Sequence, residues 1–345
     1  MTRSPRADVA RATAWGLFTA ALVVAGIYFG SRRLRDFDVA LVPYAGASVF
    51  SAFGLGYRYS MWLTKPPTRL FWWRGWGLFF APSRVAQNIA RLIALFAVNL
   101  VAQRFIEKRS PLRWAAHWFI FWGSIIAAAV TFPLSFGWIH FETAGAAQER
   151  YQAFVFGLQV FSFDLASPIA PLVFNVLDIS AVLVIVGVSL AMWRRGRDRG
   201  ALAVQQFGAD LLPLVMLFAV SITGIFLTVS THAMRGLHFV FLSQLHAVTV
   251  IFTLLYLPFG KFFHIFQRPA QLGVAFYREV GARGEPARCA RCGEPFASRM
   301  HIDDLKQVER ELGIAFERIQ YQDVCPACRR KSLALTQDAL WKRGA

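Results

Sequence analysis

Seven histidines and four cysteines are the residues of this chain best suited to holding a cofactor. Six of the histidines, His117, His140, His232, His238, His246 and His264, lie within or at the edges of long apolar stretches; His301 falls in a polar tail. An imidazole buried in hydrocarbon without a partner is costly, so intramembrane histidines are functional candidates by default. Haem iron takes axial nitrogen ligands held rigidly from facing helices, and histidine suits that role. Depth sorts the six. His117 lies a few residues inside the third apolar stretch, and His264 three residues beyond Lys261 at the end of the sixth, at the same level. His246 comes eighteen residues before His264, roughly 27 Å up the same helix at 1.5 Å per residue. His140, His232 and His238 fall at the far ends of stretches three, five and six. Two ligands at one level and a choice at the other is the pattern of a two-haem transmembrane wire. The bland alternative, a histidine that caps a helix or bonds a carbonyl, is strongest for His140, His232 and His238, which lie near water. His301 reads as a surface or knuckle histidine.

The elements that must carry these residues are six apolar stretches of bilayer-crossing length. They run Ala12–Ser31, Val39–Gly56, Trp114–Phe141, Leu165–Trp193, Leu211–Met234 and Gly236–Gly260. The first has Arg3, Arg6 and Arg11 before it but no small-residue cleavage site after it, so it reads as an uncleaved helix. In a seventh segment, Ser83–Gln103, Arg84, Asn88, Arg91 and Asn99 share one helical face, and Trp72, Trp73 and Trp76 stand just upstream. That predicts an amphipathic helix lying in the membrane surface, near residues 83–108. With six crossings and both termini in the cytoplasm, the loop Thr64–Arg113 carries nine Lys and Arg on the inner side, joined by Arg194, Arg195, Arg197, Arg199 and a basic tail. The outer side keeps Arg150, Arg235 and the run Arg32, Arg33, Arg35. A seventh crossing would invert every later loop and break this agreement with the positive-inside rule. The net charge of +17 is therefore read as topology and not as a nucleic-acid surface, because the basic residues flank apolar spans.

The last stretch carries a resemblance. The segment from His246 through Pro258, Phe259, Lys261 and His264 to Pro269 resembles the last helix of the respiratory nitrate reductase gamma subunit. In that family the helix holds two haem-ligand histidines at this spacing. A weaker resemblance extends to the membrane subunits of heterodisulfide reductase and of dissimilatory sulfite-reduction complexes. It is carried by Arg113 and His117-Trp118-Phe119-Ile120-Phe121-Trp122-Gly123, with Asp178, Arg194-Arg195 and Thr223-Gly224. It covers roughly Val39 to Pro269 and implies a five-helix cytochrome b core. Carried over, His117 and His264 ligate a haem b near the cytoplasm, and His246 is one ligand of an outer haem. The partner of His246 should follow His117 by about ten residues, where this chain has Ala127. One haem is implied, and a second only if His140, His232 or His238 replaces the missing ligand. The resemblance also implies exchange of electrons between quinone or quinol and a soluble iron–sulfur subunit on the cytoplasmic face, in a cell inner membrane.

From about Gln267 the composition turns polar. Cys289-Ala-Arg-Cys292-Gly293 and Cys325-Pro-Ala-Cys328 make two knuckles separated by 32 residues. Four thiolates in tetrahedral reach suit structural Zn²⁺; the knuckles also resemble those of rubredoxin, which implies iron as the alternative. A disulfide is disfavoured on the cytoplasmic side. Between the knuckles, Leu305, Val308, Leu312 and Phe316 keep helical spacing, with Asp303 or Asp304 as the cap.

The expectation is thus an all-α transmembrane bundle in three parts. These are an extra N-terminal helix over 1–37, a haem-binding core over 38–269, and a cytoplasmic four-cysteine, zinc-ribbon-like domain over 270–345. No catalytic nucleophile, phosphate loop, molybdenum motif or flavin motif is present, so the chemistry would be the cofactor's in an electron-transfer subunit, not a catalytic one. The competing readings are a transporter, against which no inverted repeat is found, and a sensor with a zinc-binding regulatory tail.

Overall fold

The computed structural model describes residues 5–81, 84–145, 148–314 and 320–344. They form two compact units, one of residues 10–59 and 102–266, the other of 1–9, 60–101 and 267–345.

Six helices are long and apolar enough to cross a membrane: α1 (Pro5–Gly30), α2 (Val42–Trp62, preceded by a turn from Val39), α6 (Pro111–Ser135), α7 (Ile169–Arg197), α9 (Leu212–Ala233) and α10 (Phe239–Tyr256). The bundle unit is built from them. Contact between its helices is made by small residues. A Cβ at Gly123 of α6 would lie 2.7 Å from the Ser180 carbonyl of α7, and one at Gly187 of α7 would lie 2.8 Å from the Ala116 carbonyl. Backbones approach this closely where packing, not water exclusion, drives helix association. Large apolar side chains such as Leu22, Leu172, Val248 and Phe252 point outward instead. These six helices among the described residues match the six apolar stretches.

Three features differ from the sequence reading. The third helix stops at Ser135, not Phe141, and the fourth starts at Ile169. Between them β1 (Ile139–Ala144), β2 (Arg150–Val155) and β3 (Leu158–Asp164) make an antiparallel sheet in the order β1-β2-β3. The bundle is therefore not all-α. Gly137 at φ +69° ends the helix, and Phe156-Gly157, at φ +50° and +77°, makes the two-residue hairpin whose twist suits paired strands. Alternation in Ile139-His140-Phe141-Glu142-Thr143 is the strand signal that hydropathy alone absorbed into a span.

The second difference is the sixth span. It ends at Tyr256, and a turn and the short 3₁₀ segment Lys261–Phe263 precede α11 (His264–Ala282). His246 and His264 are thus on two helices, and the 27 Å reckoning along one helix does not apply. Pro258 and Gly260 lie in the break. Arg58 of α2 covers it, donating to the Pro258 carbonyl (2.5 Å) and the Gly260 carbonyl (3.3 Å) with its guanidinium 4.3 Å over the Phe263 ring. Ser51, two turns earlier on α2, donates to the Leu254 carbonyl. The carbonyls freed by a helix end need such donors.

The third is the amphipathic segment. It is α4 (Val85–Phe96) followed by a π turn (Ala97–Val101), then Gln103 in a left-handed conformation and the short α5 (Arg104–Glu107). Ser83 lies outside the described residues.

In the second unit α4 joins α3 (Pro66–Phe79). Asn88 is buried and donates to the Leu78 and Phe79 carbonyls at 3.0 Å each, and Arg91 meets Glu279 of α11 at 3.3 Å. Ile89, Ile93 and Phe96 are exposed, as are Trp73 and Trp76. The polar stripe faces protein and the apolar stripe faces out. The tail then forms β4 (Pro286–Arg288), β5 (Pro295–Ser298), α12 (Arg299–Leu312) and α13 (Pro326–Gly344). Ser298, not Asp303 or Asp304, caps α12, its Oγ accepting from the His301 amide. Asp304 is buried instead, accepting from the Tyr277 hydroxyl at 2.5 Å and from Arg74 of α3 at 2.9 Å. Val308 is buried, Leu312 is exposed, and Phe316 lies outside the described residues.

Candidate cofactor sites

His117 stands on the second turn of α6, a helix opened by Pro111 and the Ser110 cap. His264 is the first residue of α11. Their rings lie 6.3 Å apart, centre to centre, with planes at 63°. Metal–imidazole bonds of about 2 Å on each side of one ion, plus ~1 Å from each nitrogen to its ring centre, separate two coordinating rings by about 6 Å. The angle between ring planes is free in such a pair.

The ring nitrogens are also sorted. His117 Nδ1 meets Gln103 Oε1 at 2.8 Å, and His264 Nδ1 meets the Lys261 carbonyl at 2.5 Å. Both partners are oxygen acceptors, so each Nδ1 carries the proton and donates it, and each Nε2 keeps its lone pair. An oxygen on the far nitrogen is the arrangement that orients metal-bound imidazoles and raises their basicity. Gln103 was not singled out from the sequence. Only 2% of it is exposed, and its φ of +53° is uncommon outside glycine. The Trp114 indole donates to the neighbouring Ala102 carbonyl at 2.8 Å, fixing the loop.

The other histidines are not paired with one another. His246, on α10, faces α9: Thr223 Oγ1, which donates to the Ala219 carbonyl at 2.7 Å, lies 3.0 Å from His246 Nδ1. Among the described residues no second histidine ring faces it. His140 lies in β1 and not at a helix end, stacked on Phe154 with centres 5.0 Å apart and planes at 2°. Glu142 and Asp36 are its nearest carboxylates, at 3.5 and 3.8 Å. Arg32 clamps Asp36 through two 2.6 Å bonds and holds its carboxyl below the usual range. His232 donates from Nδ1 to the Thr228 carbonyl at 3.0 Å, as in the bland alternative, and His238, at φ +60°, precedes α10. His301 is neither a surface nor a knuckle residue. It stacks on Phe71 at 5.9 Å and meets Tyr277 edge-on, and burial lowers its pKa.

In the tail unit the sequence places the metal candidates correctly. The sulfurs of Cys289, Cys292, Cys325 and Cys328 all lie within 4.8 Å of one another. Tetrahedral bonds of about 2.3 Å imply sulfur–sulfur distances of about 3.8 Å, and Cys292 and Cys325 are 3.8 Å apart. The Cys289 sulfur accepts from the Cys325 amide (3.2 Å) and the Arg291 amide (3.4 Å), and the Cys325 sulfur from the Cys328 amide (3.4 Å). Gly293, at φ +73°, lets the first knuckle turn back. Amide donation, led by that of Cys325, lowers the Cys289 thiol to about 6. Neighbouring cysteine sulfurs push Cys328 up to about 12 and raise Cys292 as well. The cluster so arranged could bind a metal such as zinc or iron.

No protein-family model, curated protein or solved structure matches the chain.

Proposed function

We propose that the chain is a haem b membrane subunit of a respiratory oxidoreductase, similar to the nitrate reductase gamma subunit. It would exchange electrons between the quinone pool and a soluble iron–sulfur partner. The observation that carries this reading is the His117–His264 pair: two imidazoles at ligand spacing, each with Nδ1 engaged by an oxygen. The residues fit a bis-histidine haem. Such a group, when bound, supplies one-electron chemistry at its iron. The protein's part is to hold the two rings, through Gln103 on one side and the Lys261 carbonyl on the other, and to enclose them among apolar helices. His246 is the candidate ligand for a second haem; His140, His232 and His238 lack a comparable partner. The four cysteines are read as a structural zinc centre, with rubredoxin-like iron as the alternative. The tail and termini are assigned to the cytoplasmic side of a cell inner membrane on the distribution of Lys and Arg.

The full chain purified in detergent should give reduced-minus-oxidised b-type bands, with a pyridine haemochrome count of one haem or more per chain. His117→Ala and His264→Ala should each remove the haem that the pair holds. Unchanged spectra in both variants would refute the assignment, and a haem-free protein that binds zinc would favour the sensor reading.

A further inference from the structure

Among the carboxylates of the six spans, Asp178 stands apart. It lies nine residues into α7 from Ile169, roughly 14 Å along the axis, whereas Asp8 and Asp210 fall in the first turns of their spans. Its carboxylate oxygen accepts from the Thr228 hydroxyl of α9 at 2.8 Å, and no cation is paired with it among the described residues. A carboxyl group at this depth is expensive and is kept where it exchanges protons or holds a ligand. Asp178 and Thr228 are both only part-buried, and Phe174, Leu177, Ile179, Phe226 and Val229 around them are exposed and apolar. In a membrane, the pair would thus be open to the lipid-facing side of the bundle.

Two further observations bear on the occupant. Helix α6 touches α7 where Gly123 meets Ser180, and on either side of that glycine Trp122 Nε1 and Ser124 Oγ are buried with no hydrogen-bond partner. Polar groups without protein partners thus gather near the level of Asp178. Helix α9 also carries Thr223, the partner of His246, five residues from Thr228, roughly 8 Å along the axis. His232, one turn further on, is exposed at the end of the bundle that bears the sheet.

We propose that the Asp178–Thr228 pair, where α7 meets α9, binds the head of a lipid-soluble hydroquinone, with the Asp178 carboxylate as acceptor of its hydroxyl proton. This rests on the electron-transfer reading and locates its quinone site. In the oxidising direction one O–H bond would break, its proton would go to the Asp178 carboxylate, and one electron would pass to a one-electron acceptor, the haem of the proposed function. Asp178 then releases the proton towards the His232 end, and a second such step completes quinone, two protons and two electrons. The reducing direction uses the same atoms in reverse. A carboxylate is the right acceptor because proton transfer must accompany each electron where water is scarce.

The test is photolabelling of the full chain in lipid nanodiscs with an azidoquinone, followed by peptide mapping and by a haem spectrum of each sample. Label should appear on α7 or α9 and be suppressed by excess short-chain quinone. Asp178→Asn and the near-isosteric Thr228→Val should each cut labelling, Asp178→Asn by about tenfold, the loss expected for a hydrogen bond to a charged group. Asp178→Glu should restore most of it. Label confined to other helices, or wild-type labelling in Asp178→Asn, would overturn the proposal. The spectrum keeps the two ideas apart: haem present with label elsewhere sinks only the site, whereas label on α7 or α9 in a haem-free protein keeps the site and sinks the electron-transfer reading.

Discussion

At the scale of single residues, the candidate ligands are distinguished less by being histidines than by what holds their far nitrogen. Gln103→Leu leaves both rings in place but removes the acceptor for His117 Nδ1. Losses of such outer partners typically weaken metal affinity about 10–100-fold, so haem should dissociate faster to an apoprotein acceptor while the b-type spectrum persists at saturation. In the cysteine cluster the amide bonds to sulfur settle which thiol ionises first. Cys289, lowered to about 6, is a thiolate at neutral pH, while Cys292 and Cys328 stay protonated there in the metal-free site. Metal uptake must displace those protons, so titration of the metal-free protein with Zn²⁺ near pH 7.5 should release about two protons or more per ion. Proton counts from calorimetry in buffers of different ionisation enthalpy measure this. Affinity should fall as pH drops through 6, when Cys289 itself takes up a proton. The clustering of the four cysteines was legible in their spacing, and the closeness of His117 to His264 was expected although the single long helix assumed for His264 was not found. Gln103 was not legible, since its role depends on a backbone turn that brings position 103 back beside position 117.

At the scale of elements, the break between α10 and α11 explains how His264 reaches its partner. Arg58 satisfies two carbonyls released there and lies over Phe263, the residue next to His264. Arg58→Met should destabilise the fold by about 2 kcal/mol, in the range for a lost hydrogen bond from a charged donor. If a haem is bound as proposed, the variant should also shift its midpoint potential and broaden its low-temperature spectrum, with Arg58→Lys partly restoring both. An unaltered potential would mean that Arg58 serves only packing. Hydropathy had merged this break into one long helix, because Leu257, Pro258 and Phe259 are as apolar as the helix before them. The sheet was hidden similarly. Ile139–Phe141 extends an apolar run, and only the alternation beyond it and the Phe156-Gly157 turn reveal strands. Helices were read well where length and composition suffice, and poorly where a turn of ordinary hydrophobic residues changes the chain's direction.

At the scale of the whole molecule, the six helices long and apolar enough to cross a membrane follow from composition, whereas their proposed orientation rests on charge. If both termini are cytoplasmic, the tail cysteines should react with a membrane-impermeant maleimide in inverted vesicles after metal removal, and resist it in right-side-out vesicles. A cysteine placed at exposed Phe156 of the sheet should show the opposite pattern. Equal labelling from both sides would contradict the six-span topology. The amphipathic α4 was legible as such because its polar residues recur at helical spacing, but the sequence could not say which surface they face. Asn88 and Arg91 turn inward to α3 and α11, and the apolar stripe is the one left open.

The anchoring of the two imidazoles has a consequence for potential. His264 leans on a main-chain carbonyl, which no substitution can delete, whereas His117 leans on the amide of residue 103. If the pair holds a haem as proposed, electron donation from His264 would be set by the backbone, while that from His117 could be graded by genetics. Replacing Gln103 with Glu would draw the Nδ1 proton away and push His117 towards imidazolate, favouring ferric iron. A weaker acceptor would favour ferrous iron. Position 103 is a dial by which a lineage could match one scaffold to donors and acceptors of different voltage without touching either ligand.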